Sequence, residues 1–388
     1  MTKKIDLIVK NGSYVTHKKI IKGDIAVHKG KIYRVGNISD LKASKTIDAR
    51  GLHILPGAID TQVHFREPGN TDKEDLKSGS RAAVAGGITT VFDMPNNNPS
   101  MSTKTLFKKK LNGAKNRMFC NYAFYFGAEK NNTTEIKKME KEVGCCGIKV
   151  FVGVSTGTLI VSDYKDIKRI MKSTKKMISF HSEDQYELNK REKFIKRGDP
   201  KSHPKWRNES VCLICTKNLV KLANQTKKKI HILHITTAEE IELLNKNKKY
   251  VSYEVTPQHL VLSSPSCYNK LGTLAQMNPP IRSLRHNKRL RQALKNNEID
   301  IVGSDHAPHK LSEKKLEYPD SPSGMPGVQT LLPILLNEVS KKMISINNVV
   351  ELTSYNPINR FKIKNKGLIK EGYDADLTFV DMSKTKKI

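Results

Sequence analysis

Short apolar stretches rich in β-branched residues recur along the chain, and their pattern changes near residue 55. Before it, Ile5-Asp-Leu-Ile-Val-Lys10 and Gly23-Asp-Ile-Ala-Val-His-Lys-Gly-Lys-Ile-Tyr-Arg-Val-Gly36 alternate apolar and polar positions around glycine-containing turns. That alternation predicts a small, half-exposed sheet built from hairpins. From about residue 59, eight apolar runs follow with helix-compatible segments between them. They are Ile59–Phe65, Thr89–Met94, Tyr122–Gly127, Gly147–Gly153, Met177–His181, Lys229–Ile235, Val251–Val255 and Ile299–Gly303. Strands alternating with helices predict a parallel sheet, and eight such units have the count and size of a (β/α)8 barrel. After about residue 360, Gly367-Leu-Ile-Lys-Glu-Gly-Tyr-Asp-Ala-Asp-Leu-Thr-Phe-Val-Asp381 returns to strand-and-turn patterning and is expected to complete the N-terminal sheet.

The expected architecture is thus α/β: a TIM-type barrel over 56–358 and a small β-sandwich domain formed by both termini, 1–55 and 359–388. Most of the barrel runs end in chemically capable side chains: His64-Phe-Arg66, Pro95-Asn96, His181-Ser-Glu-Asp184, His234 and Asp305-His-Ala-Pro-His309. In such barrels the C-terminal strand ends form the active-site face. Single polar residues end strands everywhere, but five ends of eight carrying such groups point to one convergent site.

Composition narrows the class. At 388 residues, with 37% hydrophobic residues, the chain is long enough for a sizeable core. No apolar run reaches a membrane span, and the N-terminus has no signal-peptide core, so a soluble cytoplasmic protein is expected. Sixty-nine Lys+Arg against 38 Asp+Glu give a net charge of +31. The lysines fall in twos and threes, as in Lys108-Lys109-Lys110, Lys227-Lys228-Lys229 and Lys386-Lys387. With no aromatic stacking platform among them, they read as solvated surface, without a nucleic-acid or membrane partner. Cys212-Leu-Ile-Cys215 lacks a second pair at zinc spacing, and its apolar neighbours predict core thiols on a buried helix. Cys120, Cys145, Cys146 and Cys267 are expected to be reduced as well.

Neutral imidazoles and carboxylates at a barrel mouth outline a divalent-metal site. His64, His181, His234 and Asp305 come from four different runs, and Arg66 shares a face with His64. Lys149 stands in Gly147-Ile-Lys-Val-Phe-Val-Gly153, a strand apolar on both sides. An ammonium buried there costs several kcal/mol unless paired. Pairing to a nearby Asp, deprotonation, or reaction of the neutral amine with CO2 to an anionic, metal-bridging carbamate would each relieve that cost.

Leu55-Pro-Gly-Ala-Ile-Asp-Thr-Gln-Val-His-Phe-Arg-Glu-Pro-Gly69 resembles the signature of the dihydroorotases, within the amidohydrolase superfamily. So do Met94-Pro-Asn96, Gly147-Ile-Lys149-Val-Phe, His181-Ser-Glu-Asp, Leu233-His234-Ile-Thr-Thr and Asn278-Pro-Pro-Ile-Arg. Ser304-Asp305-His-Ala-Pro-His309 and Ser323-Gly324-Met-Pro-Gly extend the likeness, in order, over residues 1–382. The resemblance implies zinc-dependent, reversible cyclisation of N-carbamoyl-L-aspartate to L-dihydroorotate in pyrimidine synthesis. It implies Lys149 as a carboxylated lysine bridging two zinc ions, His181 and His234 on the more exposed ion, and His64 and Asp305 on the more buried one. Bound metal lowers the pKa of water from 15.7 to about 7; Asp305 would take the attacking water's proton and deliver it to the departing ring nitrogen. Arg66 would pair bidentately with the substrate carboxylate, helped by Asn96 and His309, with Asn278, Ser323 and Gly324 holding the ring. A homo-oligomer, a dimer, is expected.

Two departures stand out. The usual Asp-x-His-x-His reads Asp60-Thr-Gln62-Val-His64 here, so Gln62 replaces an imidazole with a harder, weaker zinc ligand. One zinc, rather than two, becomes an expectation, with the buried ion weakened or lost. Relatives also usually continue for some tens of residues beyond Asp-Ala-Asp-Leu, so the expectation is either that the sequence is a fragment or that the small domain is short of strands. The rival functions are another cyclic-amide hydrolase, of the allantoinase or dihydropyrimidinase type, and an inactive subunit supporting aspartate carbamoyltransferase.

Overall fold

The computed structural model describes residues 4–155 and 157–387. The chain opens with seven strands: β1 (Lys4–Lys10), β2 (Ser13–Val15), β3 (Ile20–Lys22), β4 (Asp24–His28), β5 (Lys31–Gly36), β6 (Lys42–Asp48) and β7 (His53–Pro56). They sort into two sheets of a small domain, β5-β4-β1-β6 and, with a last strand β16 (Leu377–Val380), β16-β7-β2-β3. The expected hairpins are there: β4 pairs antiparallel with β5, and β16 returns from the far end of the chain to lie antiparallel on β7. Val9, Ile25, Ile32 and Ile54, the apolar members of the alternation, form this domain's core.

All eight expected runs are strands of one parallel sheet: β8 (Ala58–Val63), β9 (Ile88–Asp93), β10 (Asn121–Gly127), β11 (Cys145–Phe151), β12 (Ile178–His181), β13 (Ile230–Ile232), β14 (Val251–Val255) and β15 (Ile301–Val302). Their order in the sheet is their order in the chain, as right-handed βαβ crossovers produce. A bridge from Val63 to His306 and a hydrogen bond from the His64 amide to the His306 carbonyl join the first strand to the segment after the last. Helices such as Leu76–Ala85, Tyr164–Ser173 and Glu209–Thr226 cover the outside. Leu76–Ala85 and Ala238–Asn245 are among those that begin in capping boxes, Asp75 with Ser78 and Thr237 with Glu240, where side chain and backbone satisfy each other's donors.

Ile148 and Val150 of β11 face the helices in the largest apolar cluster, while Lys149 and Phe151, on alternate positions, face the barrel interior. The interior below the site is filled by Ile59, Phe92, Tyr125 and Leu233 with Phe361 beneath them.

Three expectations change in detail. β13 stops at Ile232 and β15 at Val302, so His234 and Asp305 lie past the strand ends in left-handed backbone (φ 39° and 46°). β-rich composition continues through these turns, and the alternation alone did not mark where the ladder ends. Lys110 is not solvated: it is buried, 2.7 Å from Asp93 and 2.6 Å from Asn97 Oδ1. The Cys212 and Cys215 thiols do sit buried on the helix Glu209–Thr226, and all six cysteines are free. Among the described residues, no helix is long and apolar enough to cross a membrane.

Candidate active site

The C-terminal ends of the barrel strands line a narrow pocket. Its wall includes Gln62, His64, Arg66, Asn96, Lys149, His181, His234, Asn278, Asp305, Ser323 and Gly324, so ten of the expected site residues and Gln62 converge. His309 alone stands behind the wall. Its Nε2 lies 3.1 Å from the Ser323 carbonyl and 3.2 Å from Arg66 Nη2, and its Nδ1 lies 3.3 Å from Lys73 Nζ. Burial, reinforced by Arg66 and Lys73, pushes its pKa down to about 3, so the ring is neutral and donates Nε2–H to Ser323. Phe151, Ser155 and Ala307 complete the lining and were not singled out by sequence.

Lys149 hangs into this cavity from the middle of β11, 1% exposed. Its Nζ has no hydrogen-bond partner and sits 4.4 Å from the Phe151 ring centre. The pairing with a nearby Asp is therefore not what forms. Burial lowers its pKa to about 7, against the pull of Asp305 and Glu254, which places a neutral amine within reach at physiological pH.

Two pairs of donors flank it. On one side His181 Nδ1 is 3.0 Å from His234 Nε2. His181 Nε2 donates to Glu183 Oε2 at 2.8 Å, which fixes the tautomer and leaves Nδ1 as a lone pair aimed inward. Burial lowers the pKa of His181, and burial with the neighbouring His181 and Lys149 lowers that of His234, so both are in the ligand form. On the other side His64 Nε2 is 3.2 Å from Asp305 Oδ1, and the same oxygen accepts a 2.8 Å bond from Gln62 Nε2. His64 Nδ1 faces Asn96 Oδ1 at 2.7 Å. With that proton on Nδ1, the Nε2 lone pair and the carboxylate oxygen confront each other.

Among the described residues, no three His, Cys, Asp or Glu side chains gather around one point. The donors come as two pairs, each short of a third ligand, with Lys149 as the other member of the cavity floor. The facing donors of the two pairs and the buried, unpartnered Lys149 Nζ fit a divalent cation, provided that Lys149 becomes an acceptor.

Two groups that support the site carried little sequence signal. Glu183, two residues beyond His181, is fully buried and takes three contacts of 2.5–3.1 Å from the Arg207 guanidinium. Burial acts to raise its pKa, but Arg207 and His181 override that and hold the carboxyl well below the usual range. The His-x-Glu spacing was a usable hint for Glu183; Arg207 lies in an unremarkable loop. His203 likewise donates from Nε2 toward the Met277 carbonyl and Asn278 Oδ1, setting Asn278.

The substrate-facing side is equally built. Arg66 is 5% exposed, and its Nε donates to the Pro308 carbonyl at 2.9 Å, which orients the guanidinium at the rim. Gly324 has φ +149°, and a Cβ there would lie 2.5 Å from the Ala307 carbonyl oxygen, so only glycine brings this backbone to the cavity.

The comparisons agree with this geometry. The amidohydrolase family model matches residues 53–388. A dihydroorotase of Methanosphaera stadtmanae is 32% identical over 99% of this chain and 88% of its own length, and one of Pyrococcus horikoshii is 36% identical over 98% and 83%. An L-hydantoinase (dihydropyrimidinase) from Arthrobacter aurescens superposes with a TM-score of 0.92 at 28% identity, covering 96% of this chain and 86% of that one. A barrel whose strand ends gather imidazoles, a carboxylate and a buried lysine thus has its counterpart in known sequences and folds: the chain belongs to the amidohydrolase family and is a hydrolase of cyclic amides.

Proposed function

We propose that this chain is a dihydroorotase, interconverting L-dihydroorotate and N-carbamoyl-L-aspartate for pyrimidine synthesis in the cytoplasm. The observation that carries the reading is Arg66: a buried guanidinium on the wall of the same cavity as Lys149, His181, His234, His64 and Asp305. Burying it is unfavourable without an anion, and burial does lower its pKa. Dihydroorotate brings a carboxylate beside the scissile amide; hydantoins and dihydropyrimidines without that substituent do not.

His181, His234, His64 and Asp305 would hold zinc, with carboxylated Lys149 as the shared anionic ligand that turns each pair into a ligand set. A divalent metal supplies, when bound, a more acidic water and a more electrophilic carbonyl. The chain's own residues do the rest. Arg66 and Asn96 bind the carboxylate and so fix which carbonyl faces the cavity floor. Asn278, steadied by His203, and the Ser323–Gly324 backbone hold the ring. Asp305 accepts the proton of the attacking water. As the ring C–N bond breaks and the oxygen stays on carbon, Asp305 returns that proton to the departing nitrogen, so the reaction balances without other reactants.

The hydantoinase-like fold favours one second reading, a hydrolase of uncharged cyclic amides. Turnover of L-dihydroorotate by the purified protein with zinc and bicarbonate separates the two, with dihydrouracil as the competing substrate. Turnover that Lys149→Ala abolishes supports the proposal. Turnover of dihydrouracil alone supports the second reading. No turnover by folded, metal-loaded protein supports an inactive subunit, which co-purification with aspartate carbamoyltransferase would corroborate.

A further inference from the structure

The opposite, N-terminal end of the barrel carries a large open cleft, remote from the strand ends that form the active site. Ten lysine and arginine side chains line it against one carboxylate, Glu140. The cause is local. Lys175, Lys229 and Lys249 stand in the loops that feed the adjacent parallel strands β12, β13 and β14, and neighbouring strands are only about 4.8 Å apart. Cations scattered in sequence are thereby brought side by side.

Most of this charge is uncompensated. Arg360 pairs with Asp300, and Lys366 with Asp374 and Asp376. Lys228 and Lys176 turn inward to backbone carbonyls, Lys228 to those of Thr174 and Lys176, and Lys176 to that of Cys145. Glu140 is engaged by the Thr174 hydroxyl and the Lys175 amide. The remaining six, Lys172, Lys175, Lys227, Lys229, Lys249 and Lys362, make no ion pair among the described residues. Helix C-termini explain Lys172, Lys227 and Lys362, which sit at the ends of Tyr164–Ser173, Glu209–Thr226 and Asn356–Phe361. They do not explain the three strand-entry lysines. Like charges converging over low-dielectric walls focus a positive potential that repels itself until an anion enters.

The floor is of another character. Tyr122, Ala123, Cys146, Tyr250, Phe361 and Ile363 give it a partly exposed apolar and aromatic surface. We propose that this cleft binds a nucleotide carrying several phosphates, its base on the aromatic floor and its phosphates among Lys175, Lys229 and Lys249. An amphipathic ligand with a flat ring at one end and several negative charges at the other matches both surfaces; a bare polyphosphate would leave the floor unused.

The test is calorimetric titration of the full chain with ATP, independent of turnover and therefore of the activity proposed above. One equivalent is expected to bind, at least tenfold more weakly in 300 mM than in 50 mM salt, as screening requires. Lys175→Glu with Lys229→Glu should weaken binding at least tenfold, and the milder Lys175→Gln with Lys229→Gln at least threefold, with unchanged melting temperatures. Lys42→Glu with Lys45→Glu, equal in charge and exposed on β6 of the small domain away from the cleft lining, should leave it unchanged. Inorganic tripolyphosphate should bind at least threefold more weakly than ATP. Absence of binding, equal loss in the remote variant, tripolyphosphate binding as tightly as ATP, or tighter cleft-dependent binding of duplex DNA would each overturn the proposal.

Discussion

The Gln62 side-chain amide donates a 2.8 Å hydrogen bond to Asp305 Oδ1, where His64 Nε2 also points from 3.2 Å. Gln62 Oε1, the one atom by which the residue would ligate a metal, is buried and unpartnered on the far side of that amide. To ligate, the amide must turn over and surrender its bond to Asp305. The His181–His234 pair faces no such conflict, since Glu183 already fixes the His181 tautomer.

One tightly held zinc per chain is therefore expected after loading and desalting. Gln62→His, which replaces an amide oxygen by a better zinc donor, should raise the count toward two. Elemental analysis by plasma mass spectrometry checks both values, and two equivalents held by the unaltered protein would contradict the assignment of Gln62 as a donor to Asp305.

Arg66 should decide substrate charge. Its two-point contact to a carboxylate is worth about 3–4 kcal/mol, or about 10²–10³-fold in kcat/KM. Arg66→Met should lose that much on L-dihydroorotate while changing dihydrouracil hydrolysis by less than about threefold. Equal losses on both substrates would mean that Arg66 supports the fold rather than the carboxylate.

How much of this was legible in the sequence depended on the kind of signal. The eight strands were readable because both-face burial produces unbroken apolar runs, and Lys149 was conspicuous because it interrupts one. The left-handed turns at His234 and Asp305 were not, since backbone dihedrals leave no mark in periodicity. Arg207 was invisible because its partner Glu183 comes from 24 residues away and only folding joins them. The lysine excess misled in both directions: Lys110 is buried against Asp93, and the strand-entry lysines that looked dispersed converge on one cleft.

Glu183 tests the support of the site. Glu183→Gln leaves the Arg207 charge buried without its counter-ion, which costs about 3–5 kcal/mol. It also removes the group that orients His181, for which a loss of about 10–100-fold in metal affinity is expected. Denaturant unfolding reads the first effect and chelator competition the second. A stability loss with unaltered metal affinity would confine Glu183 to the fold.

Buried neutral histidines should make the protein acid-labile over a defined range. Burial, with Arg207 nearby, lowers the pKa of His203 to about 3, and burial lowers that of His259 to about 4, from an ordinary 6.5. In both, the folded state disfavours the proton, so the unfolded chain binds more protons below pH 6.5 and stability rises with pH across this range. The contribution is complete above pH 6.5 and falls away as pH drops toward 4 and then 3. At pH 5 each ring lowers stability by about 2 kcal/mol relative to pH 7.5, about 4 kcal/mol for the two, out of a total of about 5–15 kcal/mol for a folded domain. His203→Gln removes one of these titrations. Whatever it costs at neutral pH, the slope of unfolding free energy between pH 6 and 4.5 should fall by about 1.4 kcal/mol per pH unit. Urea titrations at four pH values give that slope directly, and a slope unchanged by the substitution would place the acid sensitivity on other groups.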